Sequence, residues 1–400
     1  MKINTYLELE KIRENHKGEV CIFGAGRMGR YEGYELIKAA GFKVDFYCDN
    51  HVSAGTVIRD GIEVKDIKYL YSKAADVLVF LCMGPNDCKK VMTQIEEHNI
   101  ERHVCADMQV IHSVLRSVEA ADDETKKRYH ALYDDNNYLK ILFFIRTGKE
   151  LNLQNPQTFN EKLQWLKIHN RNPEYTRMVD KFEFKNYVEE KLGSGYTIPT
   201  IGVYDSVDEI EWDKLPEQFV LKCTHDSGSI AICRDKKEFD IDIDTKFLRE
   251  RLSVNYFWYS REWPYKNVKP RIIAEQYMQD GDNETLNVYK IFNFHGVPKL
   301  IQMIQNDKTP EETIDYFDTD WNLLELRQNY PNSEKPLPRP QKLEEMLSLA
   351  RKLSEGIPFV RTDFYVINGK VYVSEFTFFS DGGMAVFHPE KWDKILGEWI

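Results

Sequence analysis

Alternating apolar and polar positions near the carboxyl end of the chain predict a β-hairpin. The segments FVRTDFYVI and KVYVSEFTF, within residues 359–378, have the β-branched and aromatic composition of strands, and the Asn-Gly pair between them favours a two-residue turn. Residues two apart share a face of a strand, so Arg361 and Asp363 lie together, and around the turn Asp363 can face the same side as Glu375. Two carboxylates on a rigid hairpin suit Mg²⁺, although a solvated surface hairpin would give the same pattern.

A different pattern, short apolar strands alternating with helical stretches, fills residues 1–112. The strand VCIF is followed by GAGRMG, a helix and the strand FKVDFYCDN, which is the context of the dinucleotide-binding fingerprint. Gly24 and Gly26 would let the backbone approach a phosphate, and Gly29 would let the helix pack closely on the strand. Asp49, at the end of the second strand, could accept hydrogen bonds from ribose hydroxyls. We therefore predict a Rossmann-like parallel-sheet domain, whose glycines either bind a nucleotide or only form a tight turn.

Length, charge and cysteine content narrow the class of protein. A chain of 400 residues exceeds the size at which single cores stop growing, so we predict two or three domains. The formal charge of -11 argues against a nonspecific nucleic-acid binder. The amino-terminal segment MKINTYLELEKIRENHKGEV predicts a polar helix rather than a signal peptide, and no apolar run approaches the roughly 20 residues of a membrane span. Scattered cysteines without a CxxC pair favour reduced thiols in a cytoplasmic protein.

The middle of the chain predicts a connection to a larger domain. Residues 113–175 are charged and helix-favouring, and we expect them to form a helical linker. Within this linker, Thr158 and Glu161 have the spacing of a capping box that would open the helix FNEKLQWLKIH. The remaining residues, 176–400, alternate helices with strands and hairpins and predict a catalytic domain.

A lysine-bearing strand in this domain leads into a loop of small residues. Lys222 lies on the strand, and the loop THDSGS follows it. Such a pair can place an ammonium group and backbone N–H groups against a polyphosphate, although an ordinary hairpin with an exposed lysine would look the same. His225 in the loop either accepts a phosphoryl group or is a solvated or capping residue.

The order of the motifs resembles the ATP-grasp fold. A helix that opens with Asp-Lys, the strand lysine and its loop, a strand ending at Glu275, a hairpin carrying Lys290 and an amphipathic helix precede the R-x-D and E-x-T strands. Over residues 138–400, several segments resemble the branch associated with teichuronopeptide biosynthesis: TFNEKLQWLK, VDK, LPEQFVLKCTHDSGS, REWPYKNVKPRIIAEQYM, VYKIFNFHG, FVRTDFYVINGKVYVSEFTFFSDGG and ILGEWI. The resemblance implies two α+β lobes that close on ATP, over residues 176–400.

The resemblance also implies roles for residues at the matching positions. The contacts to nucleotide and phosphate would be Lys181, Lys222, Ser227, Gly228 and Ser229, with Glu275 beside the nucleoside. The catalytic contacts to phosphate or acyl phosphate would be Lys290 and Arg361. The Mg²⁺ ligands would be Asp363, Glu375 and Thr377, the last standing where many ATP-grasp enzymes have asparagine. Residues 1–112 resemble nucleotide-binding domains of bacterial sugar-modifying proteins, which implies a nucleotide or nucleotide sugar there.

These expectations favour an ATP-dependent carboxylate–amine ligase that works through an acyl phosphate, with ATP and Mg²⁺ as cofactors. The acid would be a uronic acid of a bacterial capsule or surface polysaccharide, or of its precursor, and the second substrate an amine. The alternatives are a small-molecule kinase, a glycosyltransferase of the same pathway that uses the first domain, and a non-catalytic binding protein. An oligomer is compatible with the sequence.

Overall fold

Two compact units make up the chain. The computed structural model describes residues 3–281 and 285–400. Unit 1 comprises Met1–Leu151 with Trp258–Arg261, and unit 2 comprises Asn152–Phe257 with Glu262–Ile400. These units divide the chain at positions other than the predicted boundaries at residues 112 and 175, and the predicted linker is shared between them. Its first part belongs to unit 1, where helices bury their apolar faces, and its second part contributes Phe159 and Leu163 to the core of unit 2.

Unit 1 contains a four-stranded parallel sheet in the order β2-β1-β3-β4. The strands are β1 (Val20–Phe23), β2 (Phe46–Cys48), β3 (Leu78–Leu81) and β4 (His103–Cys105). The helices are α1 (Tyr6–Glu14), α2 (Tyr34–Ala39), α3 (Ile67–Ser72), α4 (Pro85–Glu96), α5 (Met108–Val118), α6 (Asp123–Arg128), α7 (His130–Tyr133) and α8 (Asp135–Thr147), with a π-helical turn at Gly29–Gly33. All residues of β1 and β3 are buried, as expected for a parallel sheet covered on both faces. The prediction of a parallel α/β sheet at the amino terminus is confirmed. Met1 and Lys2, the start of the predicted polar helix, lie outside the described residues.

Unit 2 is built on two antiparallel sheets, with strand orders β11-β10-β9-β12-β13 and β5-β8-β6-β7. The strands are β5 (Thr200–Tyr204), β6 (Phe219–Cys223), β7 (Ile230–Cys233), β8 (Ile272–Gln276), β9 (Val288–Phe294), β10 (Val297–Gln305), β11 (Thr313–Phe317), β12 (Phe359–Ile367) and β13 (Lys370–Thr377). The helices of unit 2 are α9 (Phe159–His169), α10 (Glu174–Val179), α11 (Glu183–Leu192), α12 (Ile241–Leu252), α14 (Leu343–Leu353) and α15 (Lys391–Glu398). The short helix α13 (Phe257–Ser260) belongs to unit 1 except for its first residue. This α+β arrangement after a parallel α/β unit confirms the predicted fold class.

Local signals in the sequence set several of these elements. The capping box predicted for α9 is present, with Thr158 as N-cap and Glu161 returning the hydrogen bond. The predicted hairpin is also present as β12 and β13. Asn368 and Gly369 both have positive φ, 50° and 74°, as a type I′ turn requires. Among the described residues, no helix is long and apolar enough to cross a membrane.

Candidate active site

One face of the five-stranded sheet carries a row of charged side chains across three neighbouring strands. Asp363 on β12 is paired directly with Lys290 on β9 and with Glu375 on β13. Lys290 Nζ lies 3.8 Å from Asp363 Oδ2. Directly paired residues on neighbouring strands project to the same face, so the ammonium and the two carboxylates all reach one cleft.

A β-bulge in β13 decides which way Glu375 points. Next to the turn, Tyr365 pairs with Tyr372 and Phe364 with Val373, but Asp363 pairs with Glu375, so Ser374 is an extra residue. In a ladder without the bulge, Asp363 would oppose Ser374 and Glu375 would point to the other face. The bulge at Ser374, and not the two-residue turn alone, therefore places Asp363 and Glu375 on the same face.

The guanidinium of Arg361 is almost fully engaged. Its Nε and Nη2 donate to both carboxylate oxygens of Asp363 at 2.7 and 2.8 Å, Nη2 also donates to Thr377 Oγ1 at 3.0 Å, and Nη1 donates to Ser380 Oγ at 3.1 Å. Arginine has five N–H donors, so these contacts leave one N–H for a ligand. Burial alone would lower the pKa of Arg361, but the charge and hydrogen bonds of Asp363 and the charge of Glu375 raise it. Arg361 thus stays charged throughout the working pH range.

Glu375 presents an ionised carboxylate to the cleft. Burial would raise its pKa, but the charges of Lys181, Arg361, Lys290 and Lys222 together lower it. A carboxylate held ionised among cations is available as an oxygen ligand for a metal ion.

Glu275 on the four-stranded sheet lies between two lysines. Its Oε2 is 2.7 Å from Lys222 Nζ, its Oε1 is paired with Lys185 Nζ, and Lys185 also donates to the carbonyl of Ile198 at 2.5 Å. Burial would raise the pKa of Glu275, but Lys222 and Lys185 lower it to about 2. Lys222 lines the cleft, whereas Glu275 binds both lysines but is not part of the cleft lining. Glu275, predicted to lie beside a nucleoside, therefore contacts the lysines in this structure.

The small-residue loop after β6 is anchored by a buried aspartate. The Asp226 side chain is fully buried, and its Oδ2 accepts hydrogen bonds from Arg251 Nε at 2.7 Å and from the Ser229 hydroxyl. Lys181 Nζ donates to the backbone carbonyl of Asp226. These contacts hold the loop in a position where three of its residues line the cleft together with Lys181. The three residues are Ser227, Gly228 and Ser229.

His225 has no access to a phosphoryl donor in this arrangement. The residue is only 2 % exposed, and its Nε2 is 3.1 Å from the carbonyl oxygen of Arg251, to which it donates. Burial lowers the pKa of His225, so the ring is neutral. The hydrogen bond of His225 connects the loop to α12. The structure therefore gives no support to a kinase that transfers phosphate through His225.

The cleft has a volume of about 430 Å³ and lies within unit 2. Charged residues dominate its lining, with five cations and five carboxylates. The cations are Lys181, Lys222, Lys290, Lys308 and Arg361, and the carboxylates are Glu262, Asp307, Asp363, Glu375 and Asp381. Of the residues predicted for the ATP site, all line this cleft except Glu275.

The glycine turn of unit 1 is satisfied by its own neighbours. Asp49 accepts backbone hydrogen bonds from Ala25 at 2.7 Å, His51 at 2.7 Å and Val52 at 3.0 Å, which uses both carboxylate oxygens. A Cβ on Gly29 would lie 1.8 Å from the carbonyl oxygen of Gly24, so glycine is required there for the helix to pack on the turn. Asp49 therefore shapes the turn, and nucleotide binding by Gly24, Gly26, Gly29 and Asp49 stays a prediction.

The residues of the cleft fit a magnesium ion that arrives with phosphate. Asp363 and Glu375 supply hard oxygen donors from directly opposed positions. Within residues 3–281 and 285–400, no group of three or more His, Cys, Asp or Glu residues could hold a metal ion by itself. Mg²⁺ is usually bound through one or two carboxylates plus substrate phosphates, which is the set that this cleft offers. Thr377 already accepts a hydrogen bond from Arg361, so its hydroxyl is a weaker candidate.

The part of the chain that forms the cleft matches a known protein family. The family model for TupA-like ATPgrasp matches residues 161–400, which is more than half of the chain. The chain belongs to the TupA-like ATP-grasp family. The match starts at residue 161 rather than at 138 and covers every predicted residue of the ATP site. This TupA-like enzyme is thus an ATP-grasp ligase that uses ATP.

Other comparisons add little to this assignment. The search of curated proteins gave no match. Among solved structures, D-alanine–D-alanine ligase from Bacillus anthracis is 12 % identical, with 90 % of this chain and 86 % of that chain covered and a TM-score of 0.30. The Helicobacter pylori enzyme of the same name is 12 % identical, with 96 % and 99 % covered and a TM-score of 0.32. N5-Carboxyaminoimidazole synthetase from Staphylococcus aureus is 12 % identical, with 90 % and 70 % covered and a TM-score of 0.30. At such TM-scores these similarities carry no argument.

Sequence reasoning missed several residues of the TupA-like site. Lys185 lies four residues after Lys181 in DKFEFK, and that spacing was the available signal. Asp226 sits inside the predicted phosphate loop, but its burial has no local signature. Tyr256 and Tyr265, with ring centroids 4.8 Å apart, line the cleft although only aromatic content marks their segment.

Proposed function

We propose that the enzyme joins a carboxylate to an amine through an acyl phosphate, and that the acid is a uronic acid of a bacterial surface polysaccharide or of its precursor. The observation that carries this proposal is the row Lys290, Asp363 and Glu375, which faces the same cleft as Lys181 and Lys222. Cations and metal-binding carboxylates in one cleft suit phosphoryl transfer, which depends on positioning and charge neutralisation.

Each residue has a defined part in the proposed reaction. Lys181, Lys222 and the loop of Ser227–Ser229 bind the ATP phosphates, while the last free N–H of Arg361 and the Lys290 ammonium orient the carboxylate of the acid. Asp363 and Glu375 would hold Mg²⁺, which when bound neutralises charge on the phosphates.

The bonds change in two steps. A carboxylate oxygen attacks the γ-phosphorus of ATP, and the bond from that phosphorus to the oxygen of the departing ADP breaks. The amine nitrogen then attacks the acyl carbon, and the bond to the phosphate oxygen breaks. The products are an amide, ADP and inorganic phosphate.

The support for a uronic acid comes from the family and from the resemblance of unit 1 to domains of sugar-modifying proteins. The cleft itself supports a carboxylate, because Arg361 keeps one N–H and the Lys290 ammonium lines the same cleft. No feature of the cleft favours the glycosyltransferase alternative.

ADP release measured with ATP, Mg²⁺, a panel of uronates and their nucleotide-linked forms, and a panel of primary amines tests the proposal. We expect ADP release that needs both an acid and an amine, and phosphorus NMR that shows inorganic phosphate as the second product. A stable phosphorylated product formed without an amine would establish a kinase instead. Glu375→Gln should abolish the release, whereas the matched control Glu355→Gln, at an exposed position outside the cleft, should not.

A further inference from the structure

Three carboxylates of the cleft have no part in the proposed phosphoryl transfer, and one of them, Asp381, is connected to Arg361. Asp363 is paired with Arg361, and Glu375 is the metal candidate. Asp381 is the third acid whose charge acts to raise the pKa of Arg361, against the effect of burial. Ser380 connects the two residues, since Arg361 Nη1 donates to Ser380 Oγ at 3.1 Å and the Ser380 hydroxyl lies 3.4 Å from Asp381 Oδ2.

The backbone around Asp381 is held in an unusual conformation. Asp381, Gly382 and Gly383 have φ values of 52°, 63° and 67°, a run of left-handed residues. A non-glycine residue there is strained, and such strain persists where the surrounding structure imposes it, often at sites that bind ligands. The strained turn lies in the cleft wall, because Asp381 and Gly382 both line the cleft.

Helix α9 fixes this turn from behind. Gln164 Nε2 donates to the carbonyl oxygens of Gly382 at 2.9 Å and of Gly383 at 2.6 Å, and Lys167 Nζ donates to that of Gly382 at 2.7 Å. Gln164 and Lys167 are fully buried. A Cβ on Gly383 would lie 2.5 Å from Gln164 Nε2, so the glycine allows this close approach. The backbone at Asp381 is thereby held in the cleft wall, and its exposed carboxylate lies 3.4 Å from the Ser380 hydroxyl.

The charge of the acceptor explains why an acid is needed at that point. A primary amine is largely protonated at neutral pH and enters the cleft as an ammonium ion. Arg361 and Lys290, which orient the acid, would repel it. A carboxylate near the guanidinium but outside the metal pair offsets this repulsion and offers charge-assisted hydrogen bonds.

We propose that Asp381 binds the ammonium group of the acceptor and positions its nitrogen for attack on the acyl phosphate. This inference rests on the proposed function and specifies its second substrate as a primary amine that binds in the cationic form. The ammonium ion loses one proton before the attack, and a second proton leaves as the C–N bond forms and the C–O bond to phosphate breaks. The acyl phosphate and the ammonium ion thus give the amide, hydrogen phosphate and one proton.

Trapping with hydroxylamine tests this inference, because hydroxylamine is mostly uncharged at neutral pH and converts acyl phosphates to hydroxamates. The assay contains ATP, Mg²⁺, glucuronate, galacturonate or UDP-glucuronate, and hydroxylamine. Propylammonium chloride is added as the cationic competitor and propan-1-ol as its uncharged counterpart. For wild-type enzyme we expect propylammonium, and not propanol, to suppress hydroxamate formation.

Variants of Asp381 separate the inference from the proposed function. Asn tolerates the left-handed conformation, so Asp381→Asn should fold. We expect its inhibition constant for propylammonium, measured against its own uninhibited rate, to rise about tenfold or more. Asp381→Glu, which keeps the charge, should stay close to wild type, as should the exposed control Asp320→Asn.

The outcomes are distinguishable. Hydroxamate formation with equal sensitivity to propylammonium in wild type and Asp381→Asn would overturn the role of Asp381 alone. Equal loss of sensitivity in the Asn and Glu variants would assign the effect to the shape of the turn, and would also overturn it. Absence of hydroxamate with wild-type enzyme for all three acids would overturn the proposed uronate ligase, and the inference with it.

Discussion

Two glycine-containing turns follow strands in this chain, one at residues 24–29 of unit 1 and one at residues 224–229 of unit 2, and their surroundings differ. In unit 1, Asp49 accepts three backbone N–H groups from the turn and the segment after β2, and Arg30 Nε donates to the carbonyl of Ala25. In unit 2, the anchoring Asp226 is fully buried, while the serines of the loop line a cleft. The polar groups of the first turn bind each other, whereas in the second loop the Ser229 hydroxyl binds Asp226 and Ser227 still faces the cleft.

The difference shows what a glycine motif does and does not encode. In unit 1, Gly29 permits a close approach to Gly24, whereas in unit 2 the single glycine, Gly228, supplies a residue with a positive φ of 84°. Binding of a polyphosphate also requires charges that other elements bring in. Lys181 and Lys222 supply these charges in unit 2, and their positions depend on the whole unit rather than on the loop.

The largest expected effect is at the metal candidate of unit 2. Glu375→Gln removes the ionised oxygen donor that faces the cleft, so we expect kcat for ADP formation to fall by about a hundredfold or more, with little change in thermal unfolding. Steady-state kinetics at saturating ATP measure this effect. Wild-type kcat in the variant would contradict the proposed role of Glu375 as a metal ligand.

Substitution of the strand lysine should have the next largest effect. Lys222→Met removes a cation from the cleft but leaves Glu275 paired with Lys185, so the fold should persist. We expect the KM for ATP to rise about tenfold to a hundredfold. The matched control is Lys214→Met, at a lysine whose side chain is 74 % exposed and lies outside the cleft. An unchanged KM in Lys222→Met would contradict a phosphate contact.

Lys185 should act on ATP through its neighbours, although it does not line the cleft. Lys185→Met leaves Glu275 with Lys222 alone, and the carboxylate then attracts the Lys222 ammonium away from the phosphates. We expect the KM for ATP to rise by about tenfold, and Lys185→Arg to restore most of the loss because it keeps the charge. If Lys185 had a purely structural role, the unfolding temperature would fall in Lys185→Met and in Lys185→Arg, and Lys185→Arg would not restore the KM for ATP.

In unit 1 the expected effect is on stability. Asp49→Ala leaves three backbone N–H groups without their acceptor, so the free energy of unfolding of unit 1 should fall by about 1–3 kcal/mol. Chemical denaturation measures the loss, and the KM for ATP of the folded variant should not move. A raised KM would mean that the turn of unit 1 contributes to ATP use. Titration of UDP-sugars and NAD onto the protein tests the separate prediction that this turn binds a nucleotide.

The smallest expected effect is a pH dependence of the unfolding free energy that comes from Glu275. Lys222 and Lys185 lower the pKa of Glu275 from 4.5 to about 2. A lowered folded-state pKa contributes stability that is complete above about pH 4.5 and is lost as the pH falls toward 2. The difference in unfolding free energy between wild type and Glu275→Gln should therefore be constant at neutral pH and narrow below pH 4.5. A difference that does not change with pH would contradict the ion pairs.

Elements with strong local signals could be predicted from the sequence. The hairpin at residues 359–377, its Asn-Gly turn and the capping box of α9 depend on neighbouring residues, and all three are present. The bulge at Ser374 could not be predicted, because it depends on the fit of β13 against β12. It nevertheless decides the orientation of Glu375, the residue with the largest expected effect.

Features that depend on contacts between distant parts of the chain could not be predicted from the sequence. Glu275 has lysine partners from α11 and β6, some 90 and 50 residues away, so its role as their shared acceptor has no local signature. The extents of the two units likewise depend on contacts between distant residues. Charged helical stretches such as residues 123–147 suggest a linker, and only tertiary packing shows that they belong to unit 1.

The most direct measurement follows the oxygen atoms of the acid. Uronate labelled with ¹⁸O in its carboxylate is incubated with ATP, Mg²⁺ and an amine or hydroxylamine, and phosphorus NMR is used to examine the inorganic phosphate that is released. Attack of the carboxylate on the γ-phosphate predicts phosphate that carries one ¹⁸O atom from the acid. Phosphate released without ¹⁸O, with the label wholly retained in the product, would contradict the acyl phosphate and the function proposed for the cleft.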